Sequence, residues 1–339
     1  MSNTELADMP TNKDFTPEII EKLNLLQDKY SAAGQDLSSY LDGLLYADFL
    51  TYWDYINLDT LLSLQQPITP FPDEEVFIIY HQITELYFKL SLHEFNRISE
   101  AETANEITPA FLLERIRRIN RYFEALTSSF DIMIEGMDHA EFLKFRMSLL
   151  PASGFQSAQY RKIELCSTSL DRIAHKDLRE KYDGHSKETI PEIMQYLYWR
   201  EGAVEMKTGK KTLTLKQFEN KYDGEFLELA ERSYNSNIRS LAGGLVFNKK
   251  DSSLKEELRL AMRWLDVNVN INWTLAHYKS AVRYLQKDSA DIAATGGTNW
   301  QKYLPPRFQK RVFFPELWSE EELDNWGKGW VKRELFGLK

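Results

Sequence analysis

The stretch that follows Pro72 constrains the fold most. Asp73 can cap a helix, Glu74 and Glu75 fall in a first turn where carboxylates complement the helix dipole, and apolar residues then recur at helical spacing to about Ile98. Val76, Phe77, Ile79, Ile83, Leu86 and Leu90 wrap far enough round this helix to predict burial among other helices. A second helix, over about residues 109 to 133, is more amphipathic, with Phe111, Leu112, Ile116, Ile119, Phe123 and Leu126 on one side. A bundle of four or more helices follows. Fifteen glycines and eleven prolines are few for 339 residues, which agrees with a mostly α-helical chain.

Composition narrows the function. A formal net charge of −9 argues against nucleic-acid binding, which leans on clustered lysine and arginine. No apolar run reaches the length of a membrane span. The N-terminus, Met-Ser-Asn-Thr-Glu-Leu-Ala-Asp, is polar and acidic, unlike a secretory signal. The single cysteine, Cys166, allows no intrachain disulfide and no Cys-x-x-Cys motif. A soluble cytoplasmic enzyme is expected.

Residues 1–38 read as a polar arm followed by an amphipathic helix with Ile19, Leu23, Leu26 and Tyr30 at helical spacing. Residues 39–339 read as a single helical domain. Within it, a charged stretch at about 174–253 without a long apolar period predicts short helices and loops, an insertion covering the bundle. Lys181-Tyr-Asp-Gly184 and Lys221-Tyr-Asp-Gly224 repeat four residues, but their flanks do not match.

Asp266-Val-Asn-Val-Asn-Ile-Asn-Trp273 alternates polar and apolar residues, which is the pattern of a strand. Helical patterns flank it on both sides, so continuous helix is the expectation here. Of six histidines, His93 lacks the second histidine of a His-Glu-x-x-His zinc helix. His139, His175 and His185 sit in charged, turn-like segments and are expected in solvent. His81 and His277 remain, each on an apolar helix, as ligands or as satisfied core residues. Trp273 and His277, four apart, share a face, and Ala276, Ala281 and Val282 leave room there for a flat cofactor.

The block Phe142-Leu-Lys-Phe-Arg146-Met-Ser-Leu-Leu-Pro-Ala-Ser153-Gly154-Phe-Gln-Ser-Ala-Gln-Tyr-Arg161 puts an arginine on an aromatic stretch and then breaks the helix. Arg146 offers a planar donor fork suited to a carboxylate. Alone, the block is also an ordinary helix–loop–helix with surface arginines. Beside it stand Leu50-Thr-Tyr52-Trp-Asp-Tyr55, Phe77-Ile-Ile-Tyr-His81-Gln-Ile-Thr-Glu85-Leu-Tyr-Phe-Lys89, Trp273-Thr-Leu-Ala-His277, Thr295-Gly-Gly-Thr298 and Phe313-Phe-Pro-Glu-Leu-Trp318. In order and residues these blocks resemble the tryptophan 2,3-dioxygenase family, strongly from about Leu50 to Glu164 and again from Trp273 to Trp318.

The resemblance implies an all-α haem-binding helical bundle with an exchanged N-terminal arm. It implies haem b, with iron held by His277 beside Trp273 and the opposite face left for O2. His81 matches the distal histidine that accepts the indole N–H of L-tryptophan. Phe77 and Phe142 match aromatics that pack on the indole, Arg146 the arginine that grips the carboxylate, and Thr295 the threonine at the ammonium and carboxylate end. Ser153 and Gly154 match loop residues over the distal haem face. Tyr52 and Tyr55 match tyrosines that reach the site from a neighbouring subunit of a homotetramer. The implied reaction is cleavage of the indole C2–C3 bond to N-formyl-L-kynurenine, the first step of tryptophan catabolism in the kynurenine pathway. Two alternatives are a sibling haem enzyme that puts one oxygen on a modified tryptophan, and a helical binding protein without haem.

The chain departs from the family at Trp53, Tyr87, Thr274, Ala294 and Thr298. Thr274 stands where the family usually has arginine after the helix tryptophan. The loop from His277 to Thr295 is about four residues longer than usual, which leaves the placement of Thr295 less fixed.

Overall fold

The computed structural model describes residues 15–149, 154–201, 203–204, 210–246, 253–287, 290–291 and 305–328. The chain divides into two compact units, Met1–Leu64 and Gln65–Lys339.

In the first unit α1 (Pro17–Ala32) begins with the Thr16 side chain accepting from Ile19 N–H and proline in the first turn, and it carries no buried residue. Asp36 caps α2 (Leu37–Leu45) through the N–H groups of Ser38 and Ser39. The Tyr30 and Tyr40 rings stack 4.3 Å apart, joining these two helices. Two single turns follow, α3 (Tyr52–Tyr55) and α4 (Leu58–Leu61), separated by Asn57 at φ 52°. Leu44, Leu45, Tyr46, Phe49, Tyr52 and Tyr55 are each 70% exposed or more, a large apolar surface for one small unit.

The second unit is built on α5 (Asp73–Thr103), α6 (Pro109–Ser129), the short α7 (Asp131–Glu135) and α8 (His139–Phe145), and α9 (Ala158–Ser167). After these come the short α10 (Leu170–Ile173), α11 (Ile190–Ile193) and α12 (Tyr198–Glu201), then α13 (Leu213–Ser233), α14 (Ile238–Val246), α15 (Ser253–Val267) and α16 (Trp273–Leu285). A two-residue antiparallel ladder, Gln286–Lys287 with Ala290–Asp291, is the only strand pairing among the described residues beyond isolated bridges. The fold is all-α. Helix α5 packs along α6 and α9, α6 along α15, and α9 along α13.

Four expectations need correction. Asp73 is the first helical residue after Pro72 rather than the cap, and its carboxylate accepts the Asp138 N–H at the start of α8. The buried side of α5 runs through Tyr80, Thr84, Phe88, Ser91, Phe95 and Ile98, while Ile79, Leu86 and Leu90 are exposed. Counting apolar residues missed this because Thr84 and Ser91 lie on the core side and aliphatic residues on the outer side. The 174–253 stretch contains α13, 21 residues long, whose buried Leu215, Phe218, Phe226 and Leu229 carry the missing apolar period among its charges. His185 is buried, its Nδ1 3.4 Å from the equally buried Asp171. His139 is half-buried, stacked 5.8 Å from Tyr284.

The alternating stretch is helical, as expected from its flanks, with a widened π-turn at Asn268–Asn272 joining α15 to α16. Alternation misleads because the polar positions are not wet. Asn268 and Asn270 are as buried as Val269 and Ile271, and each is bonded internally. Buried charges elsewhere are also paired. Glu94 accepts from Arg115 (2.9 Å), Arg118 and Tyr122, fastening α5 to α6. Glu164 takes Arg161 (2.7 Å), Tyr198 (2.6 Å) and Arg311.

Asp266, fully buried, accepts the backbone N–H groups of Phe313 and Phe314, the indole N–H of Trp318 and the amide of Asn270. Burial pushes its carboxyl up to about 6 against the pull of these four donors. Its folded value thus lies above the unfolded one, so its contribution to stability is full below about pH 4 and is lost as pH rises through about 6. Asp266→Asn does not titrate. The stability advantage of the wild type over this variant should therefore be about 2 kcal/mol larger at about pH 4.5 than at about pH 7.5, by urea unfolding. An advantage that grows toward high pH would contradict this.

Candidate active site

Two helices of the second unit carry the site. Along α5, Phe77, His81 and Glu85 stand on successive turns, and along α16 Trp273 and His277 do the same. The two histidines are held alike. His81 Nδ1 lies 2.7 Å from the Phe77 carbonyl, and His277 Nδ1 lies 3.4 Å from the Trp273 carbonyl, each one turn back on its own helix. A carbonyl only accepts, so each Nδ1 carries the proton and each Nε2 keeps a lone pair directed away from its helix.

Both imidazoles are neutral near pH 7. Burial lowers His81 below the usual histidine range, opposed by the Phe77 carbonyl and the Glu85 charge. Burial pushes His277 down to about 4, helped by charge on His81, so the two rings feel one another. His81 keeps more than a third of its surface exposed.

Aromatic rings line this region. Phe77 packs against His81 with ring centres 4.0 Å apart and planes tilted by 32°, and approaches Phe142 at 6.3 Å and Phe145 at 5.9 Å. Phe142 meets Tyr284 at 4.6 Å. On the other side His277 sits between Trp273 (4.4 Å, nearly perpendicular) and Phe130 (4.6 Å), which also touch each other at 5.2 Å. Asp138 caps α8 through the N–H groups of Ala140 and Glu141, fixing the helix that carries Phe142. Arg146 ends α8 one turn after Phe142, only 5% exposed, and burial lowers its guanidinium from the ordinary arginine value. Gln159 of α9 donates to both the Glu85 carboxylate and the Glu85 carbonyl at 2.8 Å, tying α5 to the helix after the Gly154 loop.

The structure therefore brings Phe77, His81, Phe142, Trp273 and His277 into neighbouring aromatic clusters, with Arg146 one helix turn after Phe142. Gly154 opens a short 3-10 turn and is exposed, with space for a Cβ. Ser153 and Thr295 lie outside the described residues. Tyr52 and Tyr55 belong to the first unit, where both are exposed. Phe130, Phe145, Tyr284 and Gln159 were missed by the sequence reading. Phe145 and Tyr284 carry a signal, three residues after Phe142 and seven after His277, whereas Phe130 stands where the α6 pattern stops.

A profile of the tryptophan 2,3-dioxygenase family matches residues 45–194. A tryptophan 2,3-dioxygenase from Bradyrhizobium sp. is 30% identical over 273 residues, covering 80% of this chain and 91% of the relative. The chain belongs to the tryptophan 2,3-dioxygenase family. A second member, from Bacillus thuringiensis subsp. konkukian, is 29% identical over 279 residues, covering 81% of this chain and 94% of the relative. A third, from Ruegeria sp., is 42% identical over 119 residues, but that match spans only 42% of the relative and 35% of this chain. The family profile takes in α5, α8 and the Gly154 loop; Trp273 and His277 lie beyond it.

Proposed function

We propose that the chain is a haem-dependent oxidoreductase that opens the indole C2–C3 bond of L-tryptophan with O2 to give N-formyl-L-kynurenine. Family membership supports the activity. The observation that carries it to the site is the pair of neutral imidazoles, His81 and His277, each pinned through Nδ1 and keeping a free Nε2 lone pair. A neutral imidazole with a free Nε2 is the form that ligates iron, so His277 fits haem b. Its own carbonyl contact fixes the tautomer, and Trp273 and Phe130 fix the ring. Among the described residues no group of three metal-ligating side chains gathers, and His277 would be a single protein ligand.

Haem, when bound, supplies the oxygen chemistry. The rest of the work falls to the chain's side chains. In this reading His81 Nε2 accepts the indole N–H and sets the ring's direction, while Phe77 and Phe142 offer apolar faces to it. Arg146, held at the end of α8, binds the carboxylate, and Thr295 the ammonium and carboxylate end. A buried guanidinium interacts more strongly with a carboxylate than one in water, which favours amino acids over plain indoles. Ser153 and Gly154 would lie over the bound haem. The enclosing rings exclude water from the reacting bond.

The first unit is proposed to dock on a neighbouring subunit, placing Tyr52 and Tyr55 in that subunit's site within a homotetramer. Its support is the apolar surface around Leu44, Leu45, Tyr46 and Phe49, which a second chain would cover. A cytoplasmic location is part of the proposal, in keeping with the acidic, single-cysteine composition. No described helix is long and apolar enough to cross a membrane.

His277→Ala should abolish tight haem binding and the Soret band of the purified protein, whereas His81→Ala should keep both. Loss in the second variant with retention in the first would reverse the assignments. Arg146→Ala should lower kcat/KM for L-tryptophan by a factor on the order of tens to thousands, the cost of breaking a buried charge pair from one side. Tryptamine should be a poor substrate, and equal turnover of tryptamine and tryptophan would rule out the carboxylate role. Removing residues up to Gln65 should break the oligomer and abolish turnover while some haem binding survives. A fully active monomer by light scattering would count against the shared site.

A further inference from the structure

Five residues before His277 the helix widens, and an unusual number of side chains meet it there. The turn at Asn268–Asn272 is buried and its backbone bonds reach one residue further than in an α-helix. Such a turn takes up one extra residue, so everything after it is rotated by about 100° relative to a straight α-helix of the same sequence. It also leaves carbonyls short of backbone donors. Here side chains reach them. The Tyr160 hydroxyl of α9 donates to the Val269 carbonyl at 3.2 Å. The Thr274 hydroxyl lies 2.9 and 3.0 Å from the carbonyls of Asn270 and Ile271.

The side chains of the turn are fixed as well. Asn270 donates to Asp266 at 2.9 Å, Asn268 to Asn120 of α6 at 3.2 Å, and Asn272 to Asn268 at 3.0 Å. Asp266 in turn holds Phe313, Phe314 and Trp318, so two motifs that no catalytic role accounts for, the Asp-Val-Asn-Val-Asn-Ile-Asn stretch and Phe313–Trp318, meet at one carboxylate. Arg311 donates to Tyr160 and so anchors that contact from behind. Thr274 acquires a reason through this geometry. At its position an arginine has no hydroxyl to give the two carbonyls.

We propose that this latched π-turn sets the direction of the His277 imidazole, and that Asp266, Tyr160 and Thr274 are positioning residues for it. The proposal rests on the reading of His277 as the haem ligand. If the turn relaxes to α-helical bonding in place, α16 rotates and carries His277, together with Trp273, away from Phe130. Among the described residues, the Phe130 and Trp273 rings and the contact to the Trp273 carbonyl at 3.4 Å are what restrain the ring. The latch is therefore what keeps a weakly bonded imidazole in one orientation.

The test uses full-length Tyr160→Phe, Thr274→Val and Asp266→Asn, with Ile193→Val in the distant α11 as a control for general loss of core packing. Two readouts are needed: the histidine NMR signals of haem-free protein, with the His277 line assigned by His277→Gln, and the haem dissociation rate with the ferric EPR signal of loaded protein. Tyr160→Phe and Thr274→Val should shift or split the His277 line in haem-free protein and leave His175 unchanged. They should also speed haem loss about fivefold or more, the effect of roughly one hydrogen bond, and give a mixed EPR signal. Ile193→Val should lower Tm without these changes. An unmoved His277 line and an unchanged haem dissociation rate in Tyr160→Phe and Thr274→Val would overturn the proposal, whatever happens to Tm. If Asp266→Asn fails to fold, the two milder variants decide. A wild type that binds no haem defeats the functional reading instead, while the haem-free NMR comparison still decides whether the turn aims His277.

Discussion

One buried carboxylate joins the parts on which the second unit depends. Asp266 is fully buried and takes four donors, two from the backbone of residues 313 and 314, one from Trp318 and one from Asn270. Bringing a carboxylate out of water is costly unless its lone pairs are met, and here they are met by groups from two distant stretches of sequence. The same residue thus closes the C-terminal segment onto α15 and holds the turn that leads into α16. Glu94 and Glu164 act in the same way between α5 and α6 and around α9. The bundle is packed by its aromatic and aliphatic core, and these carboxylates select one arrangement of it.

The site uses a simpler restraint. Each histidine gives its Nδ1 proton to a carbonyl one turn back on its own helix, with an aromatic residue at that same position, Phe77 or Trp273. Helix geometry alone sets the tautomer. Burial then favours the uncharged form of both rings, the form that the proposed roles of His81 and His277 need. The difference between the two contacts, 2.7 and 3.4 Å, leaves His277 the more dependent on its neighbours.

Much of this was legible in the sequence. Apolar periodicity pointed to α1, α5 and α6, and the spacing of Phe77 with His81 and of Trp273 with His277 put each pair on one face. What periodicity could not convey was which side of α5 is buried, because the packing of Tyr80, Thr84 and Phe88 against other helices depends on chain segments far away. The burial of His185 depends likewise on Asp171, fourteen residues earlier, and on Tyr234 across its ring. The alternation at 266–273 reads as a strand only if asparagines are assumed to face water. In the folded chain they are bonded to Asp266, Asn120 and one another.

Recognition of the family needed several blocks at once, since no single histidine or arginine declares its role. Residues 45–194 carry the profile match, while Trp273 and His277 sit well after it, on a helix that follows the π-turn. The most direct measurement of the central claim is the mass of the product formed from L-tryptophan under isotopically labelled dioxygen. A haem dioxygenase acting at the C2–C3 bond predicts N-formyl-L-kynurenine carrying both labelled atoms. A product with one labelled atom, or unchanged tryptophan in haem-loaded protein, would contradict it.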